Sequence, residues 1–286
     1  MYPEIVKIGP LTVYSYGLML GIAFLVASYI LTKEFERKGL DKNAATEITL
    51  FAIIFGVIGS KLFHLFENWS DFLADPVTMA FSPGGLTFYG GLLLAMFSIL
   101  IYLRRKKINF FYAADGTAPS LAIAYGIGRI GCHLAGDGDY GIPTSLPWGT
   151  NYENGVVPPS VMFRDSEIAA GFPNGIVPDN TPLHPTPIYE FLVGLAIFYF
   201  LWSLRKKNKP VGYIFMLYFI LSGIARFLVE FIRLNPDVLF GMSSAQLISM
   251  GLIIAGIIGL YMISRNPAIF GVYPSKAHEV KPKKSP

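Results

Sequence analysis

Cysteine occurs once in the 286 residues, at Cys132. A single thiol excludes an intrachain disulfide and any metal site built from several cysteines. Histidine is almost as scarce, and His64, His133, His184 and His278 never fall at a metal-ligand spacing on one helix. A metal enzyme is therefore not expected, and no metal or other cofactor is assigned. Charge is thin as well, 15% Asp, Glu, Lys and Arg against about a quarter in soluble domains. No internal repeat is visible, and Met1–Pro10 carries a single basic residue, Lys7. The apolar run that follows lacks the flanks and cleavage site of a signal peptide, so it is expected to remain as a first span.

What the chain has in abundance is apolar: 53% hydrophobic residues and a mean hydropathy of +0.49. Windows near the ~20 residues that cross ~30 Å of hydrocarbon fall at 13–32, 48–66, 87–103, 112–134, 186–204, 211–232 and 243–264. The expected fold is an all-α polytopic membrane protein with seven transmembrane helices, forming one domain over residues 1–264.

Basic residues stay on the cytoplasmic side of a membrane protein, which orients the spans. Lys33, Arg37, Lys38 and Lys42 lie in one connection, Arg104, Arg105, Lys106 and Lys107 in another, Arg205, Lys206, Lys207 and Lys209 in a third. Arg265, Lys276, Lys281, Lys283 and Lys284 lie in the tail, whereas the alternate loops 67–86 and 135–185 contribute only Arg164. The amino terminus is expected outside and the carboxyl terminus inside. The net charge of +4 then reflects topology, and no nucleic-acid partner is needed. Loop 135–185, rich in Gly, Pro, Asn and Asp, suits a small irregular outer cap. Residues 265–286 read as a disordered basic tail able to touch anionic headgroups.

Four of the other basic residues, Lys61, Arg129, Arg226 and Arg233, fall within predicted spans or at their very edge, all toward the outer side. An embedded arginine costs about 2.5–3.5 kcal/mol at mid-bilayer and marks a functional site by default. The richest segment is 126–141, where Arg129, Cys132, His133, Asp137 and Asp139 stand among glycines. His64 and Glu67 end span two, Glu190 begins span five, and Glu230 lies in span six. Arg226, Glu230 and Arg233 are spaced i, i+4 and i+7 and so are expected to share one helical face. Glu230 could pair with either arginine, as a neutralised structural triad or with the other arginine facing a ligand. With Arg129 added, arginines outnumber their carboxylates on this reading, and the implied ligand is an anion, best a phosphate.

Bland readings fit the remaining marked residues. Lys61 beside His64 suits a lysine snorkelling to the interface, and Trp69 and Trp148 suit interface aromatics. Asp115 can cap a helix. Tyr14 and Tyr16 can anchor a helix or meet a headgroup. Cys132 reads as a small buried apolar residue, and adjacent His133 points about 100° away from it on a helix.

Five ordered segments then become recognisable: Ile8-Gly9-Pro10 with Tyr16-Gly17-Leu18-Met19; 85–91 (Gly-Leu-Thr-Phe-Tyr-Gly-Gly); Gly128-Arg129-Ile130-Gly131 and its sequel; 184–190 (His-Pro-Thr-Pro-Ile-Tyr-Glu); and 226–233 with Pro236-Asp237. On these segments the chain resembles the bacterial prolipoprotein diacylglyceryl transferase family along nearly its whole length, the outer loop and tail excepted. The resemblance implies transfer of the diacylglyceryl group of phosphatidylglycerol to the lipobox cysteine of a prolipoprotein, with release of glycerol 1-phosphate. It also implies a bacterial cytoplasmic (inner) membrane location, with the site facing the outer leaflet. The roles it suggests are phosphate binding and polarisation for Arg129 and Arg226, orientation of those arginines for Glu230, and a headgroup contact for Tyr16. The expected catalytic set is Arg129, Arg226, Glu230, Asp137, Tyr89 and His133. The expected phosphatidylglycerol-binding set is Arg129, Arg226, Tyr16, Cys132, Gly141 and Arg233.

The chain departs from the family pattern at three places. Tyr89 replaces the histidine before the paired glycines, Cys132-His133 replaces Asn-Phe, and 135–137 (Ala-Gly-Asp) replaces Asn-Gly-Glu with one extra residue before Gly141. Tyrosine, with a pKa of about 10, is a poor base near neutrality. His133 or Asp137 could substitute, or the arginine field alone could favour the thiolate. A relative that binds phosphatidylglycerol but serves another acceptor, and an anion or lipid transporter using the same arginines, are the competing readings.

Overall fold

A computed structural model describes residues 1–272 apart from residues 10, 83 and 86, and the backbone alone of Leu11. Most of the expected basic tail, 273–286, lies outside the described residues. Seven long helices carry the fold: α1 Ser15–Lys38, α2 Lys42–Glu67, α3 Phe88–Arg105, α4 Phe110–Ala135, α5 Thr186–Leu204, α6 Tyr213–Val229 and α7 Ser244–Arg265. Six of them are long and apolar enough to cross a membrane, with α6 counted through Ile232. The protein is thus a mostly helical, polytopic membrane protein.

The helix missing from those six is α4, and its composition explains why. It is 26 residues long, about 39 Å at 1.5 Å per residue, but nearly half of it is Ala, Gly, Ser and Thr, with Asp115 and Arg129 among them. More than half of its residues are buried. It packs against α1, α5 and α6, so small side chains serve close helix approach and not contact with lipid. Gly126 faces Phe191 of α5, and Gly194 of α5 faces the Ala122 carbonyl of α4.

Local chemistry sets the ends of these helices. Asp41 accepts from the Asn43 N–H at the start of α2, and Asn109 from the Tyr112 N–H at the start of α4. Asp115 is itself a cap, though of another helix. Its carboxylate accepts from Gly212 N (2.7 Å) and Phe215 N (2.9 Å), meeting the orphan donors where α6 begins. At the same end of the bundle the buried Glu34 pairs with Arg37 (2.7 Å) and Arg205 (3.0 Å).

A second layer, α2 with α3, joins the rest chiefly through α1. Its seam is glycine: Gly90 lies against Phe63 and the Gly59 carbonyl, Gly91 against Ser60 and the Gly56 carbonyl. Two short helices, Trp69–Ala74 and Pro76–Phe81, join α2 to α3. Lys61 does not snorkel free. Its ammonium donates to Ser82 O (3.0 Å), Ser82 Oγ (2.8 Å) and Gly84 O (2.9 Å). Thr87 donates its hydroxyl to Glu67 (2.8 Å) and its N–H to Ser60 O (3.1 Å). The segment leading into Tyr89 is therefore fastened to α2.

Ahead of α1, β1 (Glu4–Ile8) and β2 (Leu11–Tyr14) pair as an antiparallel hairpin; β3 (Asp237–Leu239) and β4 (Met242–Ser243) form another between α6 and α7. The expected cap between α4 and α5 is ordered. Short helices Pro159–Met162 and Glu167–Ala170 surround a core of Tyr140, Tyr152, Phe163, Ala169, Val177 and Leu183.

Substituting Gly90 by Leu is expected to force α2 and α3 apart and lower stability by about 1–3 kcal/mol or more, the range for overpacked cores. Gly21→Leu, where a Cβ would meet nothing within 4 Å, should be near neutral. Thermal melts of the detergent-solubilised protein separate the two.

Candidate active site

Helix α4 stops at Ala135 because Gly136 takes a left-handed conformation (φ 61°), which turns the chain back over the helix end. Asp137 then accepts from the Asp139 N–H (3.3 Å), and residues 141–143 run alongside two other segments. Gly141 N–H donates to His184 O (2.9 Å) and Ile142 N–H to Ile232 O (2.9 Å). Gly141 has no room for a side chain, being packed on Ile232 O, Thr186 and His184. Its glycine identity follows from this close backbone approach. These links hold the cap, the start of α5 and the end of α6 at one place.

Three arginines meet there. Arg129 of α4 ion-pairs with Asp139 and, through Nε, with Glu190 at 3.4 Å. Arg233 pairs with the other oxygen of Asp139 and with Glu190 at 3.5 Å. Arg226 of α6 pairs with Glu190 at 3.6 Å and Glu230 at 2.9 Å. Glu190, in the first turns of α5 and 5% exposed, thus touches all three. It also accepts from the Tyr125 hydroxyl, and the Arg129 guanidinium lies 4.8 Å from the Tyr125 ring centre. Arg226 Nη1 and Glu230 Oε2 are buried without a hydrogen bond among the described residues, each meeting its neighbour as an ion pair, Nη1 with Glu190 and Oε2 with Arg226 Nη2.

Two expectations need correcting. Arg226, Glu230 and Arg233 do not share one helical face, because α6 ends at Val229, residues 230–232 form a 3-10 turn, and Arg233 is extended (φ −105°, ψ 155°). Arg233 reaches the cluster from a strand-like segment paired with Gly141, while Glu230 pairs with Arg226 alone of the two. Nor is positive charge left over. Asp139, Glu190 and Glu230 balance the three guanidiniums. What remains in surplus is donors, since each guanidinium offers five N–H groups.

The other expected residues divide. Cys132 faces the cluster: its sulfur lies 3.9 Å from Arg129 Nη1. Cys132, Asp137 and Asp139 bring one possible metal-ligating atom each to within 4.8 Å of one another. Both Asp139 oxygens, however, are already held by arginine. Tyr16, 45% exposed, starts α1 where it crosses α4 at Gly131. His133 turns away, as the helical offset from Cys132 predicts, and meets the Tyr152 hydroxyl at 2.9 Å. Tyr89, on α3, makes an edge contact with Phe88; no hydrogen bond or ion pair joins it to the cluster among the described residues.

Tyr125 and the central role of Glu190 were missed in the sequence. A carboxylate beginning an otherwise apolar span was the available signal.

Asp137 and Asp139 lie beyond the helices and are shifted oppositely. Burial, with Asp139 nearby, pushes the Asp137 carboxyl up. Burial also opposes ionisation of Asp139, but Arg233 and Arg129 overcome it and hold that carboxyl below its ordinary value. A depressed native pKa gives stability that is complete above the unfolded value, about 3.9, and is lost as pH falls through the native value. Melts should show no loss from Asp139 between pH 7 and 5. Asp139→Asn should lower the melting temperature at pH 7 and flatten the decline below pH 4.

Comparison with known proteins identifies the family. A family model described as prolipoprotein diacylglyceryl transferase matches residues 3–262. A Clostridium tetani protein is 34% identical over 259 residues, covering 90% of this chain and 96% of its own. An Aeromonas salmonicida protein is 31% identical, covering 94% and 92%, and one from Geobacter sulfurreducens is 31% identical, covering 92% and 95%. All three are named phosphatidylglycerol–prolipoprotein diacylglyceryl transferase. With the match running nearly end to end, the chain belongs to the prolipoprotein diacylglyceryl transferase family.

Proposed function

We propose that this protein transfers the diacylglyceryl group of phosphatidylglycerol to the lipobox cysteine of a prolipoprotein, the first step of lipoprotein maturation. The observation that carries the reading is the convergence of Arg129, Arg226 and Arg233 from three separate elements on one buried cluster, in a chain of this family. In the reaction the peptide thiolate attacks the glyceryl carbon that bears the phosphate. A carbon–sulfur bond forms, the carbon–oxygen bond breaks, and the electron pair leaves with glycerol 1-phosphate. Arg129 and Arg226 bind and polarise that phosphate, where donors aimed at developing charge are most effective. Glu230 orients Arg226, Arg233 holds Asp139, and Tyr16 meets the headgroup.

The thiol proton needs an acceptor. Asp137 is favoured over His133 and Tyr89, because it sits beside Cys132 and Asp139 and burial pushes its carboxyl up. His133 serves as a tie between α4 and the cap core. In this reading α4 is a seventh span sheltered by its neighbours, the amino terminus lies outside the cytoplasmic membrane, and the cluster opens to the outer leaflet.

Membranes containing the protein should pass radiolabelled acyl-glyceryl groups from phosphatidylglycerol, but not phosphatidylethanolamine, to a lipobox peptide. Arg129→Ala and Arg226→Ala should each lower the rate about 100-fold or more, the scale of a lost transition-state donor. Full activity in both variants would remove their assigned roles.

A further inference from the structure

Glu230 is 5% exposed, and a buried carboxylate is tolerated only when its oxygens are met. Its Oε1 accepts two hydrogen bonds, from Ser243 Oγ at 2.6 Å and Asn235 Nδ2 at 2.7 Å. With Oε1 fixed by two donors, Oε2 is turned to Arg226, whose Nη2 lies 2.9 Å away. Both donors come from the segment between α6 and α7, outside the five motifs that mark the family in this sequence.

Ser243 is also the N-cap of α7. Its Oγ accepts from the Gln246 N–H (3.3 Å), and Gln246 Oε1 accepts from the Ser243 N–H (3.0 Å), closing a capping box. A hydroxyl has one proton and two lone pairs. The lone pair secures the helix while the proton goes to Glu230, so the two tasks use different parts of one buried group.

We propose that Ser243 is a positioning residue for the transfer reaction, its hydroxyl proton fixing the Glu230 rotamer that presents Arg226 to the phosphate. The competing role is helix capping alone. The proposal rests on the transferase reading, and the two tasks can be separated by substitution. Glycine at an N-cap is nearly as stabilising as serine whereas alanine is not, so Ser243→Gly removes the proton and spares most of the cap. Gln246→Ala does the reverse.

The test uses the full chain in detergent, with melting temperature, kcat, and KM for a lipobox peptide measured on each variant. Ser243→Gly should keep a melting temperature close to wild type and lose at least tenfold in kcat, with peptide KM unchanged. Ser243→Thr should restore kcat to within threefold. Gln246→Ala should melt lower while kcat stays within threefold of wild type. Wild-type kcat in Ser243→Gly, or equal losses of kcat in Gln246→Ala and Ser243→Gly, would overturn the proposal and leave the transferase reading intact. A wild-type protein that transfers no label would overturn the reading itself, and this proposal with it.

Discussion

The structure of the site depends on one constraint: guanidinium groups at the ends of apolar helices must be neutralised where they stand. A buried charge without a partner costs several kcal/mol, and three such charges close together would also repel. Glu190 answers both problems by touching Arg129, Arg226 and Arg233 at once. Asp139 and Glu230 complete the balance from opposite sides. Since these six residues come from α4, the cap, α5 and the end of α6, the cluster can form only when those elements are assembled. The backbone bridges at Gly141, His184 and Ile232 then hold the cap where Asp139 can reach two arginines.

The fold was legible in the sequence to the extent that hydrocarbon thickness dictates it. All seven apolar windows coincide with long helices, including α4, whose small and polar residues make it less apolar than the other six. The embedded arginines were legible because an arginine is anomalous in such a helix. Their pairing was not. Helical periodicity was carried through Arg226, Glu230 and Arg233, but the 3-10 turn at 230–232 ends it, and Pro236 follows shortly after. Glu190 and Asp139 were visible as carboxylates, yet which arginine each meets is decided by packing between helices distant in the chain. The acceptors of Lys61, in the connection about twenty residues further on, were not legible either.

The glycines reveal two different uses of the same residue. Gly90 and Gly91, within the recognisable 85–91 segment, are explained by close packing of α3 on α2. Gly141 is explained by the approach of three backbone segments beside the arginines. Neither use requires a ligand at the glycine. The family motifs therefore mark places where the scaffold is tightest as much as places where chemistry occurs, and Tyr89 belongs to the first kind of place while Arg129 belongs to the second.

If the cluster binds the substrate phosphate as proposed, its charge balance has a consequence for turnover. The substrate phosphate is a diester with one negative charge, whereas the glycerol phosphate product is a monoester that carries nearly two. A site with three unopposed arginines would hold the product more firmly than the substrate, and release would limit the rate. Catalysis benefits only from interactions stronger in the transition state than in either ground state. With Asp139, Glu190 and Glu230 in place, the cluster presents many directed N–H donors and little net field. Recognition then depends on geometry, which favours the arrangement of oxygens as the bond breaks, and the added charge of the product gains little. On the proposed reading, the carboxylates that first look like competitors of the phosphate would be what lets it leave.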